Sequence, residues 1–351
     1  MTDVEDSRLG AVDSALRTED PDLVLAAVRA TGHLPGRDTA HRKQTCTALL
    51  RYIRIALSDR RLNDASALAL CDSVLALSGD SSGYAQHDTL QLAIQIAGKN
   101  MVRRAGYIRE VLRRQAPDGD DGDALPSDVL ASDSTELATR ILAAHGCVLV
   151  RRLFDPGALK IMKRTADQRL RTYGVRALKA VKVCEPESVV TAQARDFLVS
   201  MLTPFFRGPP TLRWDHSYLR RVEPRSAATR VPFHQDLNAF GLMLANVWTP
   251  LVDCGVDAPG LEVVARRIRE IVPTMATSNY YQDLEIAESV VRQRYGADAL
   301  WAPAMACGDV LVLLGTTIHR THLNHDTTRR RTSLELRFGP PASCDRAAAG
   351  A

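Results

Sequence analysis

The stretch from Val231 to Phe338 limits what this chain can fold into more than any other. It begins Val231-Pro-Phe-His-Gln-Asp236 and runs to Gly315-Thr-Thr-Ile-His319-Arg-Thr321 and Arg331-Thr-Ser333, with short apolar runs and Gly or polar breaks between them. That punctuation predicts strands near 231–236, 241–250, 261–265, 309–314, 317–322 and 331–338. A set of short strands like this closes into a mostly antiparallel barrel or sandwich. Side chains alternate faces along a strand. His234 and Asp236 are therefore expected to point the same way, as are His319 and Thr321, with His322 opposite. On the last strand Arg331, Ser333, Glu335 and Arg337 share a face, opposite Thr332, Leu334, Leu336 and Phe338.

These residue types carry a chemistry. A His-x-Asp pair with a distal His forms the 2-His-1-carboxylate set that leaves positions open on Fe(II). Two neutral imidazoles and one carboxylate leave the centre cationic, with room for a chelating co-substrate and O2. His319 is the first choice for the distal ligand, with His322 and His325 as alternatives in the same segment. An anionic co-substrate needs a second anchor, and Arg331 is the candidate, because a guanidinium grips a carboxylate through two parallel hydrogen bonds. Thr321 and Ser333 offer hydroxyls beside it. Trp248 reads equally as a wall against the co-substrate or as an ordinary strand Trp. His-x-Asp alone is weak, since nine His among many Asp give roughly one such triplet by chance. The ordered set carries the reading: His-x-Asp, Trp248-Thr-Pro250, Cys307-Gly-Asp309, an apolar strand, His-x-Thr, then Arg-x-Ser.

Several segments resemble one family. Phe233-His-Gln-Asp236, Asn246-Val-Trp-Thr-Pro-Leu251, Ala258-Pro-Gly-Leu-Glu262, Gly308-Asp309, His319-Arg-Thr321 and Arg331-Thr-Ser-Leu-Glu-Leu-Arg-Phe338 are similar to the phytanoyl-CoA dioxygenase-like family of Fe(II)/2-oxoglutarate dioxygenases. His145-Gly-Cys-Val-Leu-Val-Arg-Arg-Leu-Phe-Asp-Pro156 extends the resemblance, which covers about Asp128–Pro340. It implies an α+β fold, a double-stranded β-helix (cupin-like jelly roll) with flanking helices. It also implies iron ligands His234, Asp236 and His319, with Arg331 on the distal carboxylate of 2-oxoglutarate and Thr321 or Ser333 as hydroxyl partner. Related halogenases carry Gly or Ala where Asp236 stands, so the resemblance implies hydroxylation of an unactivated C–H bond. Desaturation, epoxidation or ring closure draw on the same chemistry. Many relatives follow Gly-Leu-Glu with a Pro-Gly-Ser-His turn, whereas here the chain runs Val263-Val-Ala-Arg-Arg267.

The rest of the chain reads in order. From Val4 to about Gln115 the pattern is helical. Leu49, Leu50, Ile53 and Leu57 mark one face, and Leu68, Cys71 and Leu75 another, crossed by Leu70, Val74 and Leu77. Breaks at Asp20-Pro21, Pro35-Gly36, Ser58-Asp59 and Ser78–Gly83 leave five or six helices in an all-α domain, residues 1–116. An acidic, Gly-rich linker follows at 117–127. The dioxygenase-like domain spans 128–343, with a lid insertion at 266–302, and a short tail closes the chain at 344–351. Within the domain we expect a helix opening at Ser134-Thr-Glu136 and a first strand at Cys147–Arg151. Helices are expected over Pro156–Tyr173, Pro186–Leu202 and Gln282–Tyr295, and a strand over Leu212–Val222. On that strand Trp214, His216 and Tyr218 would share a face as packed residues or as pocket lining. Arg266, Arg267 and Arg269 read as a solvated basic face before they read as contacts to an anionic substrate.

Composition narrows the partners. At 45% hydrophobic and 25% charged residues, the chain can build a core. A net charge of +4, with six Lys among 45 basic residues, argues against nucleic acid as a partner. Seven scattered Cys without a Cys-x-x-Cys fit reduced thiols and a cytoplasmic setting. No apolar run is long enough to span a membrane. The leading expectation is an oxygenase acting on a small molecule in specialised, natural-product biosynthesis. Alternatives are a substrate tethered to a carrier protein, peptide or nucleic acid and docked by the helical domain, or a non-catalytic binding protein.

Overall fold

The computed structural model describes residues 2–31, 40–78, parts of 89–97 and most of 125–339, the last without 127, 131–133, 174–175, 179–190, 207, 225, 227–228, 241–243 and 276–283. The expected linker at 117–127, apart from 125 and 126, the break at Pro35-Gly36 and the break after Ser78, residues 79–83, lie outside the described residues. The chain divides into two compact units, Met1–Arg114 and Gln115–Ala351.

The first unit contains α1 (Thr2–Thr18), α2 (Pro21–Thr31), α3 (Ala40–Ser58) and α4 (Asp64–Ser78). Local chemistry sets the ends. The Asp20 side chain accepts the N–H of Asp22 at 2.9 Å and Pro21 opens α2, the usual pairing of a capping carboxylate with a residue that has no N–H to satisfy. Asn63 caps α4 in the same way through the Ser66 N–H at 2.8 Å. The helices bury one continuous core, including Leu9, Val12, Val24, Val28, Leu49, Ile53, Leu70, Val74 and Leu77. Both apolar stripes of α4 are used: Leu68 and Cys71 are buried along with Leu70 and Val74. Among the described residues, no helix is long and apolar enough to cross a membrane.

The second unit is built on two sheets. The larger has strand order β1-β2-β9-β6-β11-β5-β3, with β4 also on β11. Its strands are β1 (Asp128–Leu130), β2 (Cys147–Arg151), β3 (Arg176–Leu178), β4 (Thr211–Leu212), β5 (Tyr218–Val222), β6 (Ala245–Pro250), β9 (Val310–Leu314) and β11 (Arg331–Gly339). The smaller has order β10-β7-β8, from β7 (Gly260–Val264), β8 (Leu300–Trp301) and β10 (His319–His322). His234 pairs with His319 beside β10 and extends it. From β5 onward the chain passes back and forth between the sheets. Cys147, Leu149, Trp248, Leu311 and Leu313 of the larger sheet share one core with Leu261 and Val263 of the smaller. The unbroken apolar run of β9 is buried on both faces, as a central strand demands. Helix α5 (Thr135–His145) packs on β2 and β9, α6 (Pro156–Tyr173) on β3 and β5, and α7 (Ala192–Phe206) on α5.

Gly146 ends α5 at φ 71°, with its N–H on the Leu142 carbonyl. Its own carbonyl accepts from Leu314 N at 2.9 Å and from Thr317 Oγ1 at 2.6 Å, so it braces the turn that leads to His319. A Cβ there would sit 3.0 Å from Thr317 Oγ1, which favours Gly twice over.

The structure corrects several sequence expectations. β1 precedes β2 and pairs parallel with it, so Cys147–Arg151 is not the first strand. The helix expected to stop at Leu202 runs on to Phe206 in α7, with Pro204 inside it. The buried face Leu198, Met201, Leu202, Phe205 and Phe206 continues across it, and that burial outweighs one lost backbone bond. Leu212–Val222 is not one strand: a 3-10 turn at Trp214–His216 interrupts it, and the Ser217 hydroxyl accepts the Arg337 N–H that a continuous strand would have engaged. The insertion helix is only α9 (Glu288–Tyr295), because Ile286 donates its N–H to Phe233 at 2.7 Å and Glu285 pairs with Met275. Strand β8 also falls within the insertion. The described insertion residues Ile268, Val272, Ile286, Val291 and Ala299 pack against Phe233, Val264 and Ile318.

Candidate functional site

The residues singled out in the sequence meet in one cavity of about 810 Å³, open mouth included. His234, Asp236, Trp248, His319, Thr321 and Arg331 line it, while Ser333 sits fully buried on the same face of β11.

Asp236 reaches the site by a route the sequence did not suggest. The strand pairing ends at His234, and Asp236 is the first residue of α8 (Asp236–Phe240). The Gln235 carbonyl accepts the N–H groups of Asn238 and Ala239, which turns the chain into a helix at that point. The strand-to-helix turn, not strand alternation, leaves His234 Nε2 3.6 Å from Asp236 Oδ1. His319 arrives on β10, its ring centroid 4.3 Å from that of His234. One ligand atom from each of the three lies within 4.8 Å of the others, so the group can hold a metal ion. His322 and His325 do not join it, and the His325 side chain is 89% exposed beside Asp326.

Second contacts orient these groups. His234 Nδ1 lies 3.0 Å from the Pro232 carbonyl and 3.1 Å from that of His319, and His319 Nδ1 lies 3.0 Å from that of Thr317. Carbonyls only accept, so both Nδ1 atoms carry the proton and both Nε2 lone pairs are left for a cation. Burial first, then the neighbouring His234, pushes His319 down to about 4, which keeps it neutral. Burial works against ionisation of Asp236. The Arg337 guanidinium outweighs it and holds the carboxyl well below the usual carboxylate range. Asp236 Oδ2 lies 3.1 Å from Arg337 Nη2 without hydrogen-bond alignment, so charge holds this oxygen while its lone pairs stay available. Arg337 continues to Glu335 at 3.6 Å, and Glu335 to Arg220 at 2.8 Å. Burial raises the Glu335 pKa, yet Arg220 and Arg337 prevail and bring it to about 2.

The far end of the cavity differs. Arg331 is 1% exposed, and its Nη1 donates to the Gly260 carbonyl at 2.9 Å. Its guanidinium lies 4.9 Å from the Trp248 ring centroid. Among the described residues no carboxylate stands within ion-pair distance of it, and Arg331 Nε, Ser333 Oγ and Trp248 Nε1 are all buried without a hydrogen-bond partner. Burial lowers the Arg331 pKa to about 10, so it remains cationic at neutral pH. A buried, charged donor cluster is costly unless an anion completes it. Thr321 Oγ1 accepts the Val231 N–H at 3.0 Å and keeps its own hydrogen to donate.

Other expectations resolve differently. Tyr218 lines the cavity, and His216, in its 3-10 turn, does not. Arg267 lies over the Phe205 ring and Arg266 near Asp298, and neither lines the cavity. Of the described insertion residues, Leu284 lines it. The Cys307-Gly-Asp309 motif is structural: Asp309 accepts from Arg151 at 2.6 Å and from the N–H groups of Arg152 and Ala306, which closes the turn before β9. Sequence reading placed Arg337 on the right face but gave no sign that it holds Asp236.

No family model matches this sequence, and no curated protein matches it either. Solved structures with similarity include the non-heme alpha ketoglutarate dependent carbocyclase SnoK from nogalamycin biosynthesis, at 16% identity and TM-score 0.46, covering 61% of this chain and 87% of that one. AviO1 from Streptomyces viridochromogenes Tue57 is 18% identical with TM-score 0.43, over 60% of this chain and 96% of that one. The epimerase SnoN, in complex with Fe3+, alpha ketoglutarate and nogalamycin RO, is 14% identical with TM-score 0.44, over 59% of this chain and 83% of that one.

Proposed function

We propose that this chain is an Fe(II)- and 2-oxoglutarate-dependent oxygenase that hydroxylates an unactivated C–H bond of a small molecule. One observation carries the reading: a compact His-Asp-His group at one end of a cavity whose other end is a buried guanidinium lacking a carboxylate. The chain's repeated passage between two sheets, larger at β6, smaller at β7 and β8, larger at β9, smaller at β10 and larger again at β11, supports a double-stranded β-helix with the metal group at its mouth.

His234, Asp236 and His319 hold the metal in this reading. Bound Fe(II), with 2-oxoglutarate and O2, supplies an oxidant strong enough for an unactivated C–H bond. The protein's part is charge, orientation and exclusion of water. Arg220, Glu335, Arg337 and Asp236 sum to zero charge, so a bound dication and Arg331 leave positive charge for a dianionic co-substrate to neutralise. Arg331 grips the distal carboxylate, and Ser333 Oγ and Trp248 Nε1 complete its donors. Thr321 has a hydroxyl hydrogen available beside them. Val231, Ala239, Leu261 and Leu284 give the cavity apolar walls for a second, organic molecule. Succinate release that requires both Fe(II) and 2-oxoglutarate is the test. Release from a His234→Ala variant at the wild-type rate removes the proposal.

A second reading, with the substrate tethered to a carrier or peptide, is favoured by the separate core of Met1–Arg114. Removal of residues 1–114 spares turnover of a free small molecule and abolishes that of a tethered one.

A further inference from the structure

Gln235 stands between His234 and Asp236 but is not among the residues that line the cavity. It is 1% exposed, and every polar atom of its side chain is engaged. Nε2 donates to the Glu270 carbonyl at 2.9 Å and to the Thr316 carbonyl at 2.7 Å, and Oε1 accepts the Val272 N–H at 2.9 Å. Thr316 lies in the turn between β9 and β10, just before His319, where Leu237 also donates its N–H to Gly315 at 2.7 Å. One amide therefore fastens the segment carrying His234 and Asp236 to the turn that delivers His319, and both to the stretch at 270–272.

Few side chains can do this. Gln offers two N–H donors and an acceptor on a stem of this length. Glu would turn oxygens toward two carbonyls. An apolar isostere would leave the Thr316 carbonyl and the Val272 N–H buried and unpaired, the costly outcome for polar groups away from water, and the Glu270 carbonyl without its donor.

Resting on the metal reading above, we propose that Gln235 is a positioning residue for the metal centre. It fixes the spacing between the His234–Asp236 pair and His319, and it ties that spacing to residues 270–272. Neither role requires it to touch metal, co-substrate or substrate.

Anaerobic titration of the full chain with Co(II), followed by its d–d absorption, tests the proposal. In Gln235→Met that remains folded by circular dichroism, the Co(II) Kd rises about 10–100-fold, the range carried by contacts that orient metal ligands, and the d–d bands shift. Thr249→Val, at a buried residue that does not line the cavity, leaves both unchanged. Folded Gln235→Met with wild-type Kd and bands overturns the proposal. If Gln235→Met does not fold, the wild-type protein decides. Metal binding and the clamp are then linked, so Co(II) slows hydrogen exchange of the Val272 amide at least about fivefold more than that of the Leu219 amide on β5. Equal slowing at both amides overturns it. Wild-type protein that takes up no Co(II) is a separate failure, since it removes the metal reading together with the purpose given to the clamp.

Discussion

The two ends of the cavity are equally buried and oppositely finished. At the His234–Asp236–His319 end, each ring Nδ1 faces a carbonyl and the carboxylate has Arg337 beside it. At the Arg331 end, a guanidinium nitrogen, a hydroxyl and an indole N–H have no partner. Satisfied groups are held in place before any ligand arrives. Unsatisfied ones cost stability until something anionic reaches them. The contrast separates an end pre-shaped by the protein from an end completed by its ligand.

The largest effect expected is at the first end. Asp236→Ala removes one of three ligands and takes from Arg337 the carboxylate it faces, so 2-oxoglutarate-dependent succinate release falls by about 1000-fold or more. Co(II) or Fe(II) uptake, measured directly, falls with it. Retained uptake in that variant breaks the assignment. At the other end, Arg331→Ala leaves metal uptake intact and raises the 2-oxoglutarate requirement about 100-fold, the order expected when one partner of a buried charged pair is lost. Arg331→Lys falls between, because an ammonium cannot bind a carboxylate in two parallel bonds. Unchanged co-substrate affinity in Arg331→Ala defeats that role.

Stability without ligands sharpens the contrast, because the two ends should differ in sign. Arg331→Met leaves the co-substrate-free protein as stable or more stable, by up to about 1–4 kcal/mol, since an unpaired buried charge is replaced by packing. Arg337→Met destabilises it by about 3–5 kcal/mol by stranding Asp236 and loosening Glu335. Urea denaturation of both variants checks the pair, and equal signs erase the distinction. The smallest effect belongs to Ser333→Ala. It costs about 1 kcal/mol, roughly fivefold, in 2-oxoglutarate binding, with no loss of stability in its absence, because the hydroxyl bonds to nothing among the described residues.

Much of this could be read in advance where a single element settles it. Along β11 the residues Arg331, Glu335 and Arg337 all reach the cavity, as strict alternation over nine residues requires. The helical stripes Leu49–Ile53 and Leu70–Val74 are buried as their spacing implies. Expectations failed where distant segments compete for the same backbone. Phe233 drew Ile286 out of a helix, and the buried face of α7 carried it past Pro204.

The amino-acid order alone determined which residue types stand ready and which face of each strand or helix they share, because those depend on periods of two and 3.6 residues. Only the folded chain decided that Asp236 meets His234 through a helix start, and that His319 joins them while His322 and His325 do not. It also decided that Arg337 guards the carboxylate and Gln235 binds the halves together. Those outcomes rest on pairing between segments far apart in sequence, and local periodicity contains no information about which strands become neighbours.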